Sequence, residues 1–145
     1  MQVMEGAMQD FALTLDKFLE HAAKWHRNVE VVTGRDGGRV DRVTYADLAH
    51  RSHKVSLVLE GFGVGRGDYV ATLAWNTHAH LEAWYAIMGI GAICHTLNPR
   101  LISEQLVDMV CQSGARVLIA SADLAPLARK IAEGAACVEA VAEGA

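Results

Sequence analysis

Glycine-rich runs, histidines and cysteines are the residues of this 145-residue chain whose types could do chemistry. The run Gly61-Phe62-Gly63-Val64-Gly65-Arg66-Gly67 invites a phosphate-loop reading. Such a loop leaves a strand and opens a helix, so that backbone N–H groups and the helix N-terminus face the anion. Here the order is reversed, and the spacing is GxGxGxG instead of GxGxxG. A helix cap followed by a turn is therefore expected. No GxxxxGK(S/T) segment occurs, which excludes a P-loop nucleotidase, and no GxSxG elbow supplies a hydrolase nucleophile.

The seven histidines form no HExxH motif and no Cys/His framework. His78 and Glu82 stand four apart on one helix face, as do His50 and Lys54, whereas His78 and His80 point apart. A polar helix surface with one or two hydrogen-bonded inner histidines is the expectation. His95 differs because it ends an apolar stretch where a parallel sheet would present its carboxyl edge, the place where open α/β folds take ligands. A structural hydrogen bond is the favoured role for it. Asn98-Pro99-Arg100 follows. Proline fixes its own φ and keeps Asn98 out of helical geometry, and Asn98 can bond its own backbone two residues on. Arg100 adds a forked donor for a carboxylate or neighbouring carbonyls. Cys94, Cys111 and Cys137 are far apart and odd in number, so they are read as buried thiols in a reducing compartment.

These groups need elements to hold them. Thr14 is expected to cap a helix over about 15–26, with Leu15, Phe18, Leu19, Ala22 and Trp25 on its apolar face. Two β-prone runs, 29–33 and 39–44, flank Gly34-Arg35-Asp36-Gly37-Gly38 and read as a hairpin. Thr44 and Asp47 resemble a capping box. The helix they open carries Tyr45, Leu48, Ser52, Val55, Leu59 and Phe62 on one face and ends at Gly61–Gly63. From Tyr69 the chain alternates. Strands are expected over 69–74, 92–96, 117–120 and 137–141, and helices over 77–89, 103–111 and 123–133. Such alternation implies parallel pairing through right-handed crossovers, and strands apolar on both sides imply helices on both faces. The expected fold is thus α/β, a three-layer, mostly parallel sheet with helices on both faces, plus an N-terminal helix and a β-hairpin. Residues 1–13 read as a flexible lead-in.

Composition bounds the rest. Hydrophobic residues make up 52% and there are 13 glycines, an apolar share above the usual ~45–50%. The net charge is −4 without a basic cluster, which argues against a nucleic-acid partner. The acidic, broken N-terminus is no signal peptide. The longest apolar run, Ala83 to Cys94, is too short to span a bilayer, so no transmembrane segment is expected.

Several pieces then arrive in a familiar order. Val43-Thr44-Tyr45-Ala46-Asp47-Leu48 resembles a "TY-x-x-L" helix start. The segment from Gly63 to Ala71 resembles a "GV-x-x-GD-x-VA" turn into a strand. Trp75-Asn76-Thr77, then Gly89-Ile90-Gly91-Ala92, then Leu97-Asn98-Pro99-Arg100-Leu101 resemble a helix and an "NPRL" turn. Ser113 to Ile119 resembles the next strand. Over about residues 10–141 the chain resembles the N-terminal portion of adenylate-forming acyl-CoA ligases, and most of all their medium- and long-chain fatty-acyl branch. The resemblance implies ATP-dependent activation of a carboxylic (fatty) acid to an acyl-adenylate, then displacement of AMP by the CoA thiol, with Mg²⁺ at the phosphates. It implies an incomplete part of the large N-terminal domain over 14–145. The family's phosphate loop, ribose contact and mobile C-terminal domain match no position here. No catalytic, cofactor-binding or metal residue is therefore assigned to this chain. It is expected to be inactive alone, to bind no cofactor itself, to self-associate through open edges, and to be cytoplasmic. The alternative is a small flavodoxin-like module that binds a ligand near Asn76, Thr77, His95 and Thr96, or an interaction module, without catalysis.

Overall fold

The structure is a computed structural model, and it describes residues 11–144. Most of the expected lead-in, residues 1–10, lies outside the described residues, and 11–14 carry no regular structure.

Helix α1 spans Asp16–Trp25. Thr14 does not cap it. Leu15 holds the N-cap position in helical geometry (φ −66°, ψ −27°), with no side-chain cap, while the Thr14 carbonyl accepts from Lys17 N at 3.2 Å. A cap side chain needs extended backbone at that position, and the chain here is already turning. The apolar stripe also departs from expectation. Leu19 is buried, yet Leu15, Phe18 and Trp25 are exposed. Periodicity marks an apolar face but does not say which neighbour covers it.

Strands β1 (Glu30–Gly34) and β2 (Val40–Thr44) form the expected antiparallel hairpin. Asp36–Gly38 turns tightly between them, with Gly37 at φ 72°, a region that favours glycine. Helix α2 spans Tyr45–Gly61. The Thr44 hydroxyl accepts from Asp47 N at 3.1 Å and donates to Asp47 Oδ2 at 2.6 Å. Leu48, Ser52 and Leu59 are buried along α2, but Phe62 stays 47% exposed because it sits past the last turn. Gly63 takes φ 74°, and Val64 N reaches back to Leu59 O at 3.0 Å, closing the helix with a buried Val64–Leu59 contact.

The rest is β3 (Tyr69–Leu73), α3 (His78–Gly89), β4 (Ile93–Thr96), α4 (Ser103–Ser113), β5 (Val117–Ser121), α5 (Ala125–Gly134) and β6 (Ala140–Gly144). The four strands pair in parallel in the order β4-β3-β5-β6. Alternate residues separate two cores. Ala71, Leu73, Leu118 and Ala120 face Leu106, Val110, Ala128 and Ile131 of α4 and α5. Val70 and Val117 face Leu59 of α2 and Ile87 of α3. Helices therefore cover both faces, as a fully apolar parallel sheet requires.

Two boundaries move. The first turn of the helix expected at 123 is a 3₁₀ turn, Ala122–Leu124, and α5 begins where Pro126 fits the helix start. The last strand starts at Ala140 and not at 137. Val138 N closes a turn on Ala135 O at 3.0 Å, so the chain extends only after Glu139 N and Ala140 N meet Arg116 O.

Candidate functional site

Strands β3 and β4 end on one side of the sheet, where α3 begins and the Asn98-Pro99 turn follows. The hairpin closes the opposite wall. Between them lies a groove of about 760 Å³ with Val31, Thr33, Trp75, Asn76, Thr77, His80, Trp84, Thr96 and Arg100 on its surface. Its walls are largely apolar with a few convergent polar groups, as ligand sites are.

Thr33 of β1 is 3% exposed. Its hydroxyl accepts from His78 N at 2.9 Å and lies 3.0 Å from His78 Nδ1. The hydroxyl oxygen has two lone pairs and one proton, so it accepts from the N–H and still pairs with Nδ1, tying two groups of His78 to the hairpin. A side chain from the hairpin thus caps a helix far away in sequence. Thr77 adds its own cap, accepting from His80 N at 3.3 Å.

His80 reaches inward. Its Nε2 lies 3.0 Å from the hydroxyl of fully buried Thr72, and its other side bonds the backbone of Trp75. Burial pushes its pKa below the usual 6.5, partly opposed by that backbone bond. In the folded chain the neutral imidazole is favoured, whereas the unfolded chain takes up its proton near pH 6.5. The contribution is fully present above pH 6.5 and is lost as pH falls toward the lower folded pKa. Glu82 acts in the opposite sense. Burial raises its carboxyl above the usual range against the pull of Arg51, whose Nη1 is 3.4 Å away, so acidification relieves it. We expect chemical-denaturation midpoints to fall from pH 7.5 to 5.5, and His80→Gln to flatten that slope. An equal slope in the variant would remove His80 as the cause.

At the sheet's centre, Trp75 bridges β3 and β5. Its indole Nε1 donates to Asp123 Oδ2 at 2.7 Å, and its backbone N to Ser121 Oγ at 3.4 Å. The connections after β3 and β5 leave on opposite faces here, which is the switch point where open α/β sheets take ligands. Asn98 Oδ1 accepts from Arg100 N at 3.0 Å, the expected self-bonded turn. The Arg100 guanidinium enters no ion pair among the described residues.

Of the four residues named for a ligand-binding module, Asn76, Thr77 and Thr96 line this groove. His95 does not. It pairs in register with Ala71, on the α4–α5 side, and its Nδ1 is 2.9 Å from Ser113 Oγ at the end of α4. Strand alternation sends Thr96 and His95 to opposite faces. His80, Thr72 and Thr33 were not singled out for the site. The i,i+2 separation of His78 and His80 was the available signal, since it forces one of them inward.

The glycine run is a cap and a turn. Its N–H groups are consumed internally: Gly63 on Glu60 O at 2.9 Å, Gly65 on Asp68 Oδ2 at 2.8 Å, Gly67 on Gly91 O at 3.0 Å. The described residues hold no group of three or more His, Cys, Asp or Glu side chains that could take a metal ion.

A parallel sheet between two helix layers, with an open groove at its carboxyl edge, defines a doubly wound α/β fold. The chain belongs to the AMP-binding enzyme family, whose sequence pattern matches residues 18–144. It is 37% identical over 128 residues to a 3-methylmercaptopropionyl-CoA ligase of Ruegeria lacuscaerulensis, covering 88% of this chain and 24% of that protein. It is 39% identical over 131 residues to a long-chain-fatty-acid–CoA ligase of Thermus thermophilus, covering 90% and 24%. The structure resembles an anthranilate CoA ligase in complex with anthranoyl-AMP (TM-score 0.82, 22% identity, 94% of this chain and 27% of that one). A fatty acyl CoA synthetase of Mycobacterium tuberculosis is similar too (TM-score 0.79, 23% identity, 90% and 26%). The chain spans about a quarter of the length of these relatives. No helix among the described residues is long and apolar enough to cross a membrane.

Proposed function

We propose that this chain is the N-terminal part, from residue 14 onward, of an AMP-forming acid–thiol ligase. The whole enzyme would activate a fatty or related carboxylic acid with ATP to the acyl-adenylate, then form the CoA thioester. The observation that carries this is the family match over residues 18–144 together with relatives that are CoA ligases. ATP, Mg²⁺ and CoA belong to that parent reaction, and a cytoplasmic setting goes with it. Within it, this segment serves as scaffold. Its glycine-loop amides are already spent on the fold. Among the described residues lining the groove, Arg100 is the one permanent cation, suited to an anionic substrate group.

ATP–pyrophosphate exchange with octanoate and longer acids tests the scaffold role. The purified chain is expected to give no exchange above background, and turnover would overturn its inactivity alone. The same chain is expected to self-associate, since β4 and β6 are open edges and Ile93, Phe18 and Trp25 are exposed. Light scattering across micromolar concentrations reads this directly, and a concentration-independent monomer mass would refute it.

A further inference from the structure

Two of the three cysteines, remote in sequence, are brought to one place. Cys111 is exposed near the end of α4, and Cys137 lies half-buried in the segment between α5 and β6. The Cys137 thiol sits 3.7 Å from the carbonyl of Val110, the residue before Cys111, and burial raises its pKa, with the nearby Cys111 thiol adding to that upward shift. The backbone makes this approach deliberately close. Gly134 ends α5 against Val107 of α4, where an added Cβ would come within 2.8 Å of Val107 Cγ2. Fully buried Ala135 then anchors the turn that delivers Cys137. Cys94 is elsewhere. It packs with the α2–α3 core on the opposite face of the sheet, and burial pushes its thiol up to about 11.

We propose that Cys111 and Cys137 are a thiol–disulfide exchange site, at which a low-molecular-weight disulfide closes an intramolecular bond between α4 and the α5–β6 turn. The Cys111 thiolate attacks one sulfur of the small disulfide. That S–S bond breaks, and the departing thiolate takes the proton Cys111 gave up. Cys111 now carries a mixed disulfide. Cys137 loses its proton and attacks the Cys111 sulfur, expelling the second small thiol. Two protein thiols are oxidised to one disulfide, and one small disulfide is reduced to two thiols. Exposure makes Cys111 the entry point. Burial raises the Cys137 thiol, so it is the poorer nucleophile toward a free disulfide, and it reacts second, once the mixed disulfide on Cys111 makes the attack intramolecular.

The test is incubation of the whole chain with glutathione disulfide at pH 8.5, acid quenching and peptide mapping. The expected product has one peptide joining Cys111 to Cys137, two hydrogens lighter, with Cys94 still titrating as a thiol. Its thermal midpoint rises and returns on treatment with dithiothreitol. Cys111→Ser should leave Cys137 reduced, and Cys94→Ser should close at the parent rate. A mixed disulfide on Cys111 as the end product would overturn the proposal. So would a Cys111–Cys111 dimer, a bond to Cys94, or three unreacted thiols.

Discussion

Leu118→Ala is expected to destabilise the chain by about 2–5 kcal/mol, the usual cost of a core leucine truncated to a cavity. Leu118 is the second residue of β5, fully buried, and packs among Leu73, Leu106, Val110 and Ile131. It stands in a strand with neighbours on both sides, so backbone movement cannot refill the space without breaking ladders to β3 and β6. A domain of this size holds only about 5–15 kcal/mol in total. Urea unfolding should show a lower midpoint with an unchanged slope. Leu57→Ala is the matched control. Leu57 is 68% exposed on α2, so its loss should cost at most about 0.5 kcal/mol. If the two variants unfold together, the α4–α5 core does not carry the stability assigned to it.

Thr33→Val should cost about 1–3 kcal/mol, although the two side chains have nearly the same shape. The change removes one hydroxyl and leaves two groups of His78 unpaired, its backbone N–H and its Nδ1. The penalty falls at the start of α3, where α3 and the hairpin meet. Thr33→Ser keeps the hydroxyl and should keep most of the stability. Hydrogen exchange at the His78 amide separates the cases: faster in the valine variant, near parent in the serine one. Equal exchange in both would mean that packing of β1, and not the hydroxyl, holds the helix start.

Thr33 also shows where sequence reading stops. The strand–helix alternation, the hairpin and the Thr44–Asp47 cap were legible because each depends on residues a few positions apart. The three-layer parallel sheet followed from strands apolar on both sides, and the order of motifs pointed to the family. What escaped depends on distant partners. Thr33 and His78 meet across 45 positions, and Trp75 meets Asp123 across 48. The expected stripe of α1 splits in the structure, with Leu19 buried and Leu15, Phe18 and Trp25 exposed, a division periodicity could not show. His95 and Thr96 are adjacent in sequence, yet only sheet orientation decides which one enters the groove. Cys111 and Cys137 looked unrelated until α4 and α5 were placed side by side.

The strand order β4-β3-β5-β6 has a consequence for how this polypeptide emerges from a ribosome. Strand β3 is central, but its two neighbours are made at very different times. β4 follows after one helix, so β3, α3 and β4 can assemble as soon as Thr96 is out. The partner of Val70 on the other side is Val117, which must wait for α4 to be synthesised. At ~5–20 residues per second, β3 stands for some seconds as a largely apolar border, unpaired on its β5 side. The nascent chain thus passes through a stage in which its most buried strand is its most adhesive one. Any chaperone requirement of this segment would fall in that interval.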